Sequence, residues 1–123
     1  MNEVRLKNRT KEYAKDIIRL CRILPNNCEG RLIGNQMFRS GTSVAANYRA
    51  ACRGRSKAEF VSKLAIVEEE ADETLFWLEI IKAMEILKEP IVDNLIKESN
   101  EILAIIVASI KTVKLKIKSK IQN

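Results

Sequence analysis

Apolar residues recur along most of this chain at helical spacing, and polar breaks cut the pattern into four pieces. From about Thr10, Ala14, Ile17, Ile18, Cys21 and Leu24 follow the i, i+3, i+4, i+7 rule, while Lys11, Lys15, Arg19 and Arg22 fall on the other side. Residues 1 to about 8 are polar and read as a loose arm ahead of this first helix, placed at roughly 10–24. Pro25 closes it, because a residue before proline is pushed out of helical geometry, and Asn26 and Asn27 favour a turn.

The second helix spans roughly 29–53, with Ile33, Met37, Val44, Tyr48, Ala51 and Cys52 as its apolar stripe. At about 100° per residue, Arg31, Asn35, Arg39, Thr42, Arg49 and Arg53 project within roughly 80° on the opposite side. This helix therefore has a core face and a basic face. Gly54 breaks it, and Ser56-Lys57-Ala58-Glu59 has the form of a capping box that starts a third helix at roughly 56–87. Phe60, Leu64, Val67, Ala71, Leu75 and Leu78 form its main stripe. Ile66, Phe76, Trp77, Ile80 and Met84 form a second stripe, which calls for either a deeply buried helix or a subunit interface. After Lys88-Glu89, Pro90 suits a first helical position, and the fourth helix covers roughly 91–117 before fraying into a lysine-rich tail. Four helices joined by short breaks in one domain of 123 residues read as an all-α, antiparallel up-and-down four-helix bundle.

Composition supports long helices, with only 4 Gly and 2 Pro to make turns. The net charge of +6 favours encounters with polyanions. The absence of histidine removes His-based nucleophilic triads and almost all common zinc or di-iron sites. Glu68, Glu69, Glu70, Asp72 and Glu73 diverge around a helix and read as a solvated or salt-bridging face rather than a metal site. No Gly-rich phosphate loop or nucleophile motif is present, and Cys21, Cys28 and Cys52 read as buried structural thiols. The expectation is a protein that is not an enzyme and uses no cofactor, metal or small-molecule substrate. Without a signal peptide or a run of about 20 apolar residues, a soluble, cytoplasmic protein with no membrane partner is expected.

Two basic features remain. Arg39, Arg49, Arg53 and Arg55 are candidates for bidentate contact with the phosphates of RNA or DNA. The competing role for Arg39 and Arg53 is pairing with acids of the third helix, within the chain or across a subunit boundary, and Arg49 and Arg55 suit either role. Lys114, Lys116 and Lys118, with Lys111 and Lys120, form a second candidate that is either a solvated terminus or a non-specific nucleic-acid arm. Asn47, among small and apolar neighbours, is expected to be a buried polar group that fixes helix register.

The segment around these arginines carries a recognisable pattern. Arg39-Ser40-Gly41, Ser43-Val44-Ala45-Ala46-Asn47, Gly54-Arg55-Ser56, Glu59-Phe60 and Leu64-Ala65-Ile66, leading into an acidic Leu-rich helix, resemble the four-helix-bundle family encoded in intervening sequences of bacterial 23S rRNA genes. With its flanking helices, the resemblance covers nearly the whole chain. It implies a left-handed antiparallel bundle assembled as a ring-like homo-oligomer, a homopentamer, without enzymatic activity. Some members of that family are described as ribosomal-protein-like, and a sister group serves as the accessory protein of diversity-generating retroelements. The partners implied are thus further copies of the chain, RNA, and either a ribosomal component or a reverse transcriptase. One departure is local: Tyr48-Arg49-Ala50-Ala51-Cys52 stands where many members read Ile-Ala-Glu-Gly, which makes this surface more positive. The expected function is a non-enzymatic oligomeric bundle that binds nucleic acid through a basic surface; the alternative is a protein-interaction scaffold such as a reverse-transcriptase accessory subunit. Ile66, Phe76, Trp77, Ile80 and Met84 are the expected subunit interface.

Overall fold

In a computed structural model, which describes residues 2–122, the chain forms α1 (Glu3–Ile23), α2 (Cys28–Cys52), α3 (Lys57–Ala83) and α4 (Pro90–Gln122). No strand occurs among the described residues. The helices pack as a four-helix bundle, with α2 between α1 and α3, α4 against α3, and a thinner contact closing α1 onto α4.

The polar start of the chain is not a loose arm. Asn2 caps α1, its side chain accepting a hydrogen bond from the Arg5 N–H at 2.9 Å, and Leu6 is buried in the core one turn ahead of Thr10. The buried stripe thus starts at Leu6 and runs through Thr10, Tyr13, Ile17 and Leu20, so the seven residues from Glu3 to Arg9 are helical as well. Met1 lies outside the described residues. Asn27 caps α2 in the same way through the Gly30 N–H, 2.9 Å away. Gly30 is required at that point, because a Cβ there would sit 1.9 Å from the Pro25 carbonyl oxygen.

The third helix ends earlier than expected. Ala83 is its last residue, and Glu85 takes a left-handed conformation with φ of 51°. The Ile86 N–H then donates to the Ile81 carbonyl (3.0 Å) and the Glu85 N–H to that of Lys82 (3.1 Å), the paired bonds of a Schellman motif. Ile86 and Leu87 pack back on the core, which is why their apolar character read as helix. The fourth helix runs longer than expected, to Gln122.

The core draws on every helix, with Tyr13, Ile17, Met37, Val44, Leu64, Leu78, Ile81, Ile102 and Ile106 among its most buried members. Through its middle runs a polar layer. The Ser99 hydroxyl donates to the Leu95 carbonyl, leaving the Tyr13 hydroxyl to donate to Ser99 Oγ at 2.6 Å. Thr74 donates to the Glu70 carbonyl, and the Ser40 hydroxyl lies 2.7 Å from Thr74 Oγ1. The layer ties α1 to α4 and α2 to α3, and its buried hydroxyls must align for each to be satisfied. The register role expected of Asn47 falls to these residues instead. Asn47 is only half-buried, and its amide bonds back to Ser43 of its own helix, at 3.0 Å to the carbonyl and 2.8 Å to the hydroxyl.

Candidate nucleic-acid interface

The arginines of α2 share one arc of the helix but not one environment. α2 lies between two neighbours, and its outer face divides where the sides facing α3 and α1 meet. Arg39 leans towards α3, where Glu70 and Glu73, one turn apart, receive it. Nη1 donates to Glu70 at 2.9 Å and Nη2 to Glu73 at 2.7 Å and 2.8 Å. Glu73 first, then Glu70, hold the guanidinium above its ordinary pKa. Two members of the acidic cluster of α3, Glu70 and Glu73, therefore have a partner within the chain, and Arg39 is engaged with them.

Arg49 and Arg53 lean the other way, towards α1. With Thr42, Ala45 and Ala46 of α2 and Lys7, Asn8 and Lys11 of α1 they line an open groove of about 520 Å³. Small side chains make its floor, so the two backbones lie close and the cations stand along the rims. Deeper between the same helices, Gly41 admits Ile17 at a distance no Cβ would allow. Lys7, Lys11, Arg49 and Arg53 take part in no ion pair among the described residues. No acidic side chain among the described residues lines the groove. Four unneutralised cations around a shallow, polar-rimmed trough are suited to phosphate oxygens rather than to an apolar ligand.

The lysines of α1 are not among the candidates that the pattern along the chain marks, because Lys7 falls in the polar stretch that reads as an arm and Lys11 among solvent-facing charges. Their i, i+4 spacing is the signal that marks one edge of a helix once α1 is known to begin at Glu3. Arg55 and the three tail lysines do not join them. Arg55 follows α2, with its backbone N–H bonded to Glu59 Oε2 at 3.0 Å, while Ser56 Oγ receives the Glu59 N–H at 3.1 Å. The expected capping box is thus shifted, because the glutamate reaches one residue further back than Ser56. Lys114, Lys116 and Lys118 are exposed on the distal part of α4 and do not line the groove.

The second stripe of α3 divides as well. Trp77 and Ile80 are half-buried against the chain's own core, and Ile66 is half-buried. Phe76 remains 52% exposed and Met84 65% exposed. Phe76 meets Trp77 edge to face, with centroids 5.0 Å apart and planes at 72°. The Trp77 indole N–H is buried without a hydrogen-bond partner among the described residues.

The thiols also differ from one another. Cys21 donates weakly to the Gly34 carbonyl, and burial pushes it up to about 11. Burial raises Cys52 too, whereas Cys28, at the start of α2, is exposed rather than buried as expected. No group of three or more His, Cys, Asp or Glu side chains gathers among the described residues, and no helix there is long and apolar enough to cross a membrane.

The chain is thus a small all-α protein of four helices packed as a bundle. The chain belongs to the 23S rRNA-intervening sequence protein family, whose sequence profile matches residues 2–108. A crystal structure of a protein of unknown function from the S23 ribosomal protein family of Bacteroides thetaiotaomicron is similar at 34% identity and a TM-score of 0.80, covering 90% of this chain and 99% of that one. No curated protein matches.

Proposed function

We propose that the protein is a non-enzymatic, homo-oligomeric helical bundle that binds RNA through the groove between α1 and α2. The observation that carries this reading is the set Lys7, Lys11, Arg49 and Arg53, four cations unpaired among the described residues around one trough. The family's association with rRNA, and the ribosomal-protein name of the structural neighbour, favour RNA as the polyanion. Arg39 is assigned to holding α2 on α3 and is withdrawn from phosphate contact. The exposed Phe76 of α3 and the exposed Met84 at its C-cap support assembly with further copies.

The test is the salt dependence of binding to a short single-stranded RNA. Four phosphate contacts give a log–log slope of about −2.8, and removing two with Arg49→Ala/Arg53→Ala lowers it to about −1.4. A fourfold rise in salt then weakens the wild type about 50-fold and the double variant only about 7-fold. An unchanged slope would place the phosphates elsewhere. Arg39→Ala serves as the contrast: it leaves the slope alone while loosening α2 from α3.

A further inference from the structure

α4 is twelve residues longer than α1, about 18 Å at 1.5 Å per residue, and its end outruns the bundle. Its core stripe does not stop there. Ile110 still packs against the core, and half-buried Val113 and Ile117 carry the stripe on to Ile121, which is 80% exposed. Five lysines, Lys111 through Lys120, stand around this stripe, and no acidic residue follows Glu101. An opposite surface lies on the outward side of α3. Glu69, Asp72, Phe76 and Glu79 fall within roughly 80° of each other, with Ile80 beside them. The three acids are exposed and belong to no ion pair among the described residues; the ion pairs of α3 use Glu70, Glu73 and Lys82. Both strips, Ile110 to Ile121 and Glu69 to Ile80, run about 16 Å.

We propose that the distal end of α4 in one protomer docks on the outward face of α3 in a second copy. This rests on the homo-oligomer reading above and names the two surfaces that make the contact. Charge complementarity selects the occupant: a lysine-rich strip free of acids meets an acidic one, and each brings apolar side chains to the other. Two α4 ends facing each other would set five lysines against five. The same chain cannot supply both surfaces, because α4 is one continuous helix whose earlier turns already pack on the inner side of α3. A phosphate backbone satisfies the lysines but leaves Val113, Ile117 and Ile121 in water. Because two different patches meet, the contact is head-to-tail and closes a ring when the rotation between protomers permits.

The experiment is light scattering at matched protomer concentration, with circular dichroism confirming helix content. Reversing Lys114, Lys116 and Lys118 to Glu, or separately Glu69, Asp72 and Glu79 to Lys, is expected to reduce the oligomer to the protomer mass. Combining the six substitutions is expected to restore it. An oligomer mass unchanged by either reversal, or six substitutions that fail to restore it, overturns the docking while leaving the oligomer standing. Retained mass with lost RNA binding in the lysine-reversed chain makes this end of α4 a nucleic-acid arm and also overturns it. A wild-type chain that is monomeric removes the oligomer reading itself.

Discussion

At Gly41 the side chain of Ile17 in α1 packs directly on the backbone of α2, and adding one methyl group there tests the packing between the two helices that form the basic groove. A Cβ at Gly41 would lie 2.7 Å from Ile17 Cγ2, 2.9 Å from Cγ1 and 3.0 Å from Cβ. These atoms sit near the root of a fully buried side chain and cannot swing away. Gly34, in the same helix, offers a control, since a Cβ there meets only Leu24 Cδ1 at an ordinary 3.5 Å. Replacing a helical glycine with alanine gains about 0.5–1 kcal/mol by restricting the unfolded chain. Gly34→Ala should therefore stabilise by about that amount. Gly41→Ala makes the same gain but overpacks the α1–α2 contact at a cost of about 1–3 kcal/mol. The difference between the two variants, in which the propensity gain cancels, is thus about 1–3 kcal/mol. Urea unfolding followed by circular dichroism at one fixed protomer concentration measures it, because association would otherwise shift the midpoint. Removing Ile17 Cγ1 and Cγ2 with Ile17→Ala should abolish the Gly41→Ala penalty, a coupling that a double-mutant cycle isolates. If Gly41→Ala stabilises as much as Gly34→Ala, the close approach of these helices, and the groove geometry built on it, are refuted.

Burial pushes the Tyr13 phenol up to about 12. The unfolded phenol loses its proton near pH 10, so the stability it contributes is complete below about pH 10 and falls by roughly 3 kcal/mol as pH rises to about 12. Tyr13→Phe should flatten that alkaline loss in urea midpoints while costing about 1 kcal/mol at neutral pH, since Ser99 keeps its bond to Leu95. An alkaline loss identical to wild type would mean that the phenol is not buried as described. Arg9 forks onto Glu98 at 2.6 Å and 2.7 Å and also reaches Glu101, clamping α1 to α4 where their contact is thin. Arg9→Lys keeps the charge but loses the fork, and should destabilise by about 1 kcal/mol; an unaltered melting temperature would show that charge alone holds the clamp.

Much of the architecture is legible in local chemistry. Pro25, the Ser56 cap and Pro90 each set a helix boundary to within a residue or so, because caps and prolines act on the backbone beside them. The misplaced boundaries had non-local causes. The first turns of α1 look polar until Leu6 is seen to reach the core. The end of α3 is set by a left-handed Glu85 rather than a glycine, and the apolar residues beyond it belong to the loop that packs underneath.

Residue type and spacing along single helices are enough to place the four helices, exclude histidine chemistry, mark the family and give α2 its basic character. How the arginines divide depends on which helices pack beside α2. A helical wheel places Arg39, Arg49 and Arg53 within one arc but carries no information about neighbours, and the boundary between α1 and α3 falls inside that arc. Glu70 and Glu73 therefore neutralise Arg39, while Lys7 and Lys11, distant in sequence, complete a groove with Arg49 and Arg53. The buried layer of Tyr13, Ser40, Thr74 and Ser99 was equally hidden. Each of these residues taken singly is an ordinary polar group on a helix, and only the packing of four helices brings their hydroxyls within hydrogen-bonding distance.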